Sequence, residues 1–461
     1  MQHQHHPSGE HEHAHNDEQD DSHGNHQGLR GRGGFIISGL TGGHGVFHWF
    51  TQSFIAMLPE VQAAFALSGV GVGGITSIRE LVSGIVTLPG GIIADALRKY
   101  WGLVLALCMA VFGVGWLIIG VAPNYYILLL GMAVVALAAS IWHLPAMASL
   151  SHHFSHRKGT ALSFHGVGGQ LGDVLAPPVT GFLLAFLAWR GIISIYAVIP
   201  ILLALLVYWA FKNIGRTGGD DGAERQGLQM QATKRVLRNP ILWIVAFVGG
   251  IRGMAFIGLI TFFIIFLNDL GLALDGKPFA VELTIPSLFS ISLGEFEMTT
   301  FVRNLHFGLL LAVGIVSTPV VGWLSDIFGR KAVLVPGLLL LAVLSYLLGN
   351  SVPGLGLIVI IALMGTFLYG DQPILTALAL DVAGDEVPTT VLGILSLERF
   401  LLSFASPLIA GALYDNGFAF GGIDLNGPQA TFTYVAVLFL LGALILLFIP
   451  LPRPSHPADH H

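Results

Sequence analysis

Twelve runs of about twenty mainly apolar residues alternate with shorter polar breaks along this 461-residue chain. They lie near 35–58, 68–94, 101–121, 126–149, 160–187, 191–212, 240–267, 301–324, 332–350, 355–379, 390–413 and 430–450. Roughly twenty apolar residues in a helix span the hydrocarbon core of a bilayer, so each run predicts a transmembrane helix. A polar break near 213–239 divides six runs from six. A second long break, 268–300, holds the alternation Val281-Glu-Leu-Thr-Ile285 ahead of Pro286, which predicts a short strand or lid. The expected architecture is an all-α membrane protein of twelve transmembrane helices in two six-helix bundles. Its parts are a His-rich tail over 1–34, a first bundle over 35–213, a linker over 214–239, a second bundle over 240–450 and a tail over 451–461.

Composition excludes a soluble globule. With 54% hydrophobic and 10% charged residues and a mean hydropathy of +0.76, the chain has too little polar surface to face water. Its single cysteine, Cys108, rules out an intrachain disulfide or a Cys-x-x-Cys site. Placing both termini in the cytoplasm puts fifteen basic residues, from Arg30 to Arg453, on the inner side. Only Arg190, Lys277 and Arg303 are then outside, a bias that orients the chain in a cell (inner) membrane. Residues 1–34 lack an apolar stretch, so they predict a disordered cytoplasmic tail and not a signal peptide. The net charge of −6, with no basic and aromatic cluster, argues against a nucleic-acid partner. The partners expected are a small-molecule substrate and membrane lipid, with the chain acting as a monomer.

The two halves repeat each other. Gly91-Ile-Ile-Ala-Asp95-Ala-Leu-Arg98-Lys99 returns 231 residues later as Gly322-Trp-Leu-Ser-Asp326-Ile-Phe-Gly329-Arg330-Lys331. Trp142-His143-Leu144-Pro145 answers Gly370-Asp371-Gln372-Pro373, and Ala176-Pro177-Pro178 answers Ala405-Ser406-Pro407. Duplicated halves of this kind place a substrate site near the bilayer midplane, between bundles that rock around it.

These motifs resemble the major facilitator superfamily over residues 35–450. The second copy, Gly322 to Lys331, fits that family's loop signature fully, whereas the first has Arg98 in place of a glycine. The resemblance implies that Asp95 and Asp326 sit at the cytoplasmic ends of helices 2 and 8, near the start of a helix in the opposite half. There they would latch the outward-facing state, a carboxylate being favoured at a helix N-terminus by about 0.3–1 kcal/mol when exposed. Anchoring of the loops to lipid headgroups is the alternative. A narrower resemblance, to the fosmidomycin-resistance drug exporters, rests on Gly43-His44-Gly45 through Ser53, Leu58-Pro59 and Trp142-His143-Leu144-Pro145. Phe154-Ser-His-Arg157-Lys158-Gly159 leading into Gly166-Val-Gly168-Gly169 is similar to monocarboxylate and oxalate/formate carriers.

Charged residues inside the predicted helices mark a pathway, because each costs about 2.5–3.5 kcal/mol at a helix centre unless it faces a cavity or a partner. They are Arg79, Glu80, Asp173, Arg252, Asp371, Glu398 and Arg399. Counting residues from the cytoplasmic ends places Arg79 and Glu80 well above Glu398 and Arg399, which predicts partners within each half, or separate roles as outer and inner gate. No cofactor and no nucleotide motif is expected, so a proton gradient supplies the energy, with Glu80, Asp173, Asp371 and Glu398 as proton carriers. His44, His48, His143 and His165 fit a proton relay, hydrogen bonds to an organic solute, or a transported metal. In the tail, His3, His5, His6, His11, His13 and His15 have spacings that suit a divalent metal, or a solvated tail without a ligand. Gly168 and Gly172 predict close helix packing and not a phosphate loop. The function expected is proton-coupled export of a small organic solute or drug. An organic-anion carrier, a divalent-metal exporter and a non-transporting metal sensor stand as alternatives.

Overall fold

The computed structural model describes residues 33–154, 157–214, 235–271, 279–285, 289–296, 298–383 and 388–450, with the backbone alone for 88–96, 152, 158–159, 279–285, 289–296, 298 and 388–389. The histidines of the tail and most of the linker lie outside the described residues.

The first half comprises α1 (Gly33–Ala56), α2 (Leu58–Phe65), α3 (Gly69–Ala96), α4 (Trp101–Val121), α5 (Tyr125–His153), α6 (Lys158–Leu184) and α7 (Trp189–Phe211). The second comprises α8 (Pro240–Asp269), α9 (Met298–Phe328), α10 (Arg330–Gly349), α11 (Leu355–Leu368), α12 (Asp371–Ala383), α13 (Pro388–Ser403), α14 (Ser406–Asn416) and α15 (Gly427–Phe448). In lipid every backbone polar group must find its partner within the segment, which is why the apolar runs are helices. Among the described residues ten spans are long and apolar enough to cross a membrane, counting α11 with α12 and α13 with α14. The other two, α1 and α6, are 24 and 27 residues long and carry the polar and glycine residues of the site.

Each half packs chiefly on itself, α4 on α7 and α1 on α6 in the first, α10 on α15 and α8 on α13 in the second. The halves meet where α3 crosses α13 and α14 and where α6 crosses α9. Alternating spans run in opposite directions, so one face of the molecule carries the start of α1 and the other carries α2; these are called here the N-terminal and the opposite face. The span α8 is the most enclosed, 89% of its apolar window being buried, which makes it an axis of the second half.

Two runs that read as continuous helices are broken. The tenth is interrupted at Tyr369-Gly370 and the eleventh at Phe404-Ala405, just before Pro407. The corresponding prolines of the first half, Pro145, Pro177 and Pro178, lie inside unbroken α5 and α6. The repeat in sequence is thus not a repeat in local geometry. The strand expected at 281–285 is present as β1 (Phe279–Ile285), paired antiparallel with β2 (Phe289–Phe296). A second hairpin, β3 (Phe418–Phe420) and β4 (Ile423–Leu425), turns on Gly421 and Gly422, both at positive φ. It leads into the capping box of Asn426 and Gln429 that starts α15.

Candidate functional site

Close packing of α1 on α6 sets the first part of the site. A methyl group at Gly168 would collide with the Thr41 carbonyl, and one at Gly172 with the Gly45 carbonyl, so only glycine lets the two backbones approach this far. The crossing brings His44 and His48 of α1, one turn apart, against His165 and Asp173 of α6. His143 joins them from α5. The His44 ring stacks on His165 at 4.1 Å and 5°, and lies 4.4 Å from His48 and 5.0 Å from His143, centroid to centroid. His48 Nδ1 is 2.9 Å from Asp173 Oδ1, His44 Nδ1 is 2.8 Å from the His165 carbonyl, and His143 Nδ1 is 2.6 Å from the Ala139 carbonyl. His165 is buried, and neither of its nitrogens makes a hydrogen bond of normal geometry.

Asp173 also faces a cavity of about 110 Å³ between the halves, lined by Gln170 and Asp173 from α6, Leu311, Ile315 and Thr318 from α9, and Tyr369 and Pro373. Behind it the broken tenth span is held by Arg252 of α8. The Arg252 Nε donates to Asp371 Oδ2 at 2.7 Å, and a terminal nitrogen lies 2.6 Å from Oδ1 without hydrogen-bond alignment. The guanidinium donates further to the Leu368 carbonyl at 2.5 Å, freed by the break, and to Gln372 at 3.3 Å, and lies over the Phe256 ring at 4.7 Å. Asp371 begins α12, where the helix dipole favours its charge. Both partners are buried, so Arg252 and Asp371 neutralise each other.

Arg79 and Glu80 approach at 3.9 Å within the first half. A Cβ at Gly84 would lie 2.9 Å from Phe400 Cβ, which sets the register of α3 against the antiparallel α13 and leaves Arg399 about 7.5 Å from the level of Glu80. Glu398, by contrast, has no counter-ion within bridging distance among the described residues, and its Oε2 has no hydrogen-bond partner.

The opposite face is closed by contacts that the sequence reading did not single out. Arg303 of α9 donates to Glu60 Oε1 and to Asn268 Oδ1, each at 2.7 Å, and to the Ala56 carbonyl at 3.3 Å. Asp415 accepts from the Gly69 N–H at 2.5 Å and the Val70 N–H at 3.0 Å, so a carboxylate of one half caps a helix N-terminus of the other. Beside it, a methyl at Gly73 would overlap the Pro407 carbonyl. Arg303 had registered only as one of three basic residues on the sparsely charged side; its place near the start of an apolar run was the available signal.

At the N-terminal face the signature residues bind within their own half. Arg330 donates to Asp326, to Asp381 at 3.2 Å and to Ser325 at 2.8 Å, while Lys331 donates to the Ile449 carbonyl at 3.0 Å. A methyl at Gly322 would meet nothing within 4 Å. Among the described residues Asp326 has Arg330 of its own half as its partner and no contact with the opposite half. Gly329 takes φ of +93° to turn α9 into α10, a conformation open to glycine. In the first copy, Arg98 and Lys99 form a 3₁₀ turn at Arg98–Tyr100 instead, consistent with the missing glycine. Gly91 and Asp95 belong to the last turns of α3; their side chains lie outside the described residues.

Comparison with known proteins places these features. The profile described as Major Facilitator Superfamily matches residues 40–296 and 278–461. The chain is 22% identical over 332 residues to the uncharacterized MFS-type transporter YhcA of Bacillus subtilis (strain 168), 63% of this chain and 58% of that one. It is 25% identical over 413 residues to the probable 4-methylmuconolactone transporter of Cupriavidus pinatubonensis (strain JMP 134 / LMG 1197), 86% of each. The fosmidomycin resistance protein of Escherichia coli (strain K12) is 24% identical over 179 residues, 38% of this chain and 43% of that one. Among solved structures, the nucleoside transporter NupG superposes with a TM-score of 0.70 at 12% identity, covering 89% of this chain and 98% of that one. A bacterial homolog of the human lysosomal transporter Spinster, inward-facing and unoccupied, gives 0.65 at 15% identity, covering 91% and 95%.

Proposed function

The chain belongs to the major facilitator superfamily, and from that membership we propose that it is a secondary transporter exporting a small organic solute in exchange for protons. The observation that carries this reading is the cavity between the halves, lined by Asp173 and Gln170 from one and Thr318 and Tyr369 from the other, with the polar contacts between the bundles, among the described residues, gathered at the opposite face. With both termini in the cytoplasm, as the basic residues favour, the joined face is external and the structure is the inward-open state. Solute then enters from the cytoplasm. Rocking requires that Arg303–Glu60 and Asp415–Gly69 part while Asp326 and Asp95 engage the opposite half.

Glu398 is the proton carrier in this scheme. Asp371 is held by Arg252, Glu80 faces Arg79 and Asp173 is bonded to His48, whereas Glu398 changes charge without breaking an ion pair. It sits on α13, at the crossing of the halves, and is only partly buried. The fosmidomycin-resistance likeness, limited to 38% of the chain, favours export of a drug-like compound. Uptake of an organic anion is less well supported, since Arg252, the best-placed cation, is already engaged by Asp371 and the Leu368 carbonyl.

A thermal-shift screen of purified protein over drugs and organic anions supplies the solute for the test. In proteoliposomes with an imposed pH gradient, that solute should drive proton flux through the wild type. Glu398→Gln should lose the proton-driven accumulation but keep solute exchange at equal concentrations. Retained proton-driven accumulation in Glu398→Gln would remove Glu398 from the role. Solute movement indifferent to the pH gradient in the wild type would refute proton coupling.

A further inference from the structure

We propose that His44, His48 and His143 form a binding site for one divalent transition-metal ion of the zinc, cobalt and nickel class, held inside the first bundle through their three Nε2 atoms. The inference is independent of which solute the transporter carries. One ring nitrogen from each of the three lies within 4.8 Å of the others. Chemistry decides which nitrogen is available. A backbone carbonyl accepts and never donates, so the contacts to the His165 and Ala139 carbonyls put the ring proton of His44 and His143 on Nδ1. The Asp173 carboxylate does the same for His48. Each neutral ring is left with its lone pair on Nε2, and no described residue donates a hydrogen bond to any of the three.

Three imidazoles whose second nitrogens are each bound to a carboxylate or carbonyl are the arrangement that fixes a histidine as a metal ligand, setting its tautomer and its ring orientation. Packing alone explains it less well. Stacked core histidines gain nothing from leaving three neighbouring lone pairs without a donor, whereas a cation between the rings would satisfy them. At metal–nitrogen distances of about 2.0–2.1 Å, tetrahedral ligands stand about 3.4 Å apart, so ring rotations moving the nitrogens by on the order of 1 Å close the site. His165 is not a fourth ligand: its ring lies parallel to His44 and stacks on its face, so it orients the His44 imidazole. The fourth position is left for water or a small anion, the condition of an open metal site. His48 has 35% of its side chain exposed, which gives an ion a way in.

The test uses the full chain with His3, His5, His6, His11, His13, His15, His23, His26, His152, His153, His156, His306, His456, His460 and His461 changed to asparagine, so that only the His44–His48–His143 nest and its neighbour His165 are read. Titration with Co2+ should give one bound ion with the intense visible bands of four-coordinate cobalt, displaced by Zn2+. His44→Asn and His143→Asn should each weaken binding at least 100-fold. Asp173→Asn should weaken it about 10–100-fold, the effect of losing a carboxylate that orients a ligand, and His165→Gln should stay within a few-fold of the parent. Absence of Co2+ binding by the parent, a six-coordinate spectrum, or binding that survives loss of both His44 and His143 overturns the proposal. Should the histidine variants fail to fold, Zn2+ protection of the three rings from diethyl pyrocarbonate in the parent, read by mass spectrometry, decides, and no protection refutes the site. None of these readouts depends on transport, so failure here leaves the organic-solute reading intact.

Discussion

Removing Arg252 leaves Asp371, which has no exposed surface, facing an apolar interior, and leaves the Leu368 carbonyl at the helix break without its donor. Breaking a buried pair by deleting one partner costs about 3–5 kcal/mol. The orphaned carbonyl adds a penalty of about 1–3 kcal/mol, offset where water enters. Arg252→Met, which keeps much of the volume, should therefore destabilise the second bundle by about 3–5 kcal/mol. Asp371→Leu, which leaves the buried guanidinium without a counter-charge, should cost about 3–5 kcal/mol as well. The double variant Arg252→Met/Asp371→Leu should recover most of the loss, because replacing both members of a buried pair with apolar groups is close to neutral. Unfolding of the purified protein in lipid–detergent micelles by SDS titration measures all three, and the double-mutant cycle should give a coupling of at least 2 kcal/mol. Arg252→Met costing under about 1 kcal/mol, or a double variant no better than the worse single one, would show that the pair does not stabilise the break in the tenth span.

Three further outcomes follow from the same geometry. Glu60→Gln with Arg303→Gln should loosen the opposite face, raising maleimide labelling of a cysteine introduced at Thr300 several-fold in a Cys108→Ser background; unchanged labelling would mean that Asp415 alone holds that face. Asp326→Asn, at a position whose side chain is 62% exposed, should change stability by no more than about 1 kcal/mol yet abolish transport without lowering membrane insertion, as read by flux and by membrane yield. Gly168→Leu should force α1 from α6 and abolish Co2+ binding at the nest together with a fall in melting temperature, whereas Gly166→Ala, at a position with open space around its Cβ, should leave both unchanged.

Much of the fold was legible because its determinants are local. The apolar runs had the length of spans, and the alternation at 281–285 had the period of a strand. Gly168 and Gly172 were readable as packing glycines because small residues four apart share a helix face. The site was only half legible. The histidines and charged residues stood out against apolar surroundings, but Glu60, Arg303, Asp415 and Tyr369 did not, since each gains its meaning from a partner over 100 residues away. The relative height of Glu80 and Arg399 rests on Gly84 against Phe400, a contact between the halves that neither helix specifies by itself.

The sequence by itself determined the membrane class, the apolar helices, the repeated motifs and the position of the signature loops. Each of these depends on apolarity and periodicity within a single segment, and lipid leaves such a segment little choice but helix. The tertiary structure alone decided that Pro373 and Pro407 belong to helix breaks while Pro145 and Pro178 do not, that Arg252 is engaged by Asp371, and that the bundles close at the face of Glu60 and Arg303. It also decided that the histidines of α1 and α5 converge, through glycines that permit the crossing of α1 and α6. These outcomes turn on the register between helices, and register is set by the fit of small residues and buried charges against one another, information that no single stretch of the chain contains.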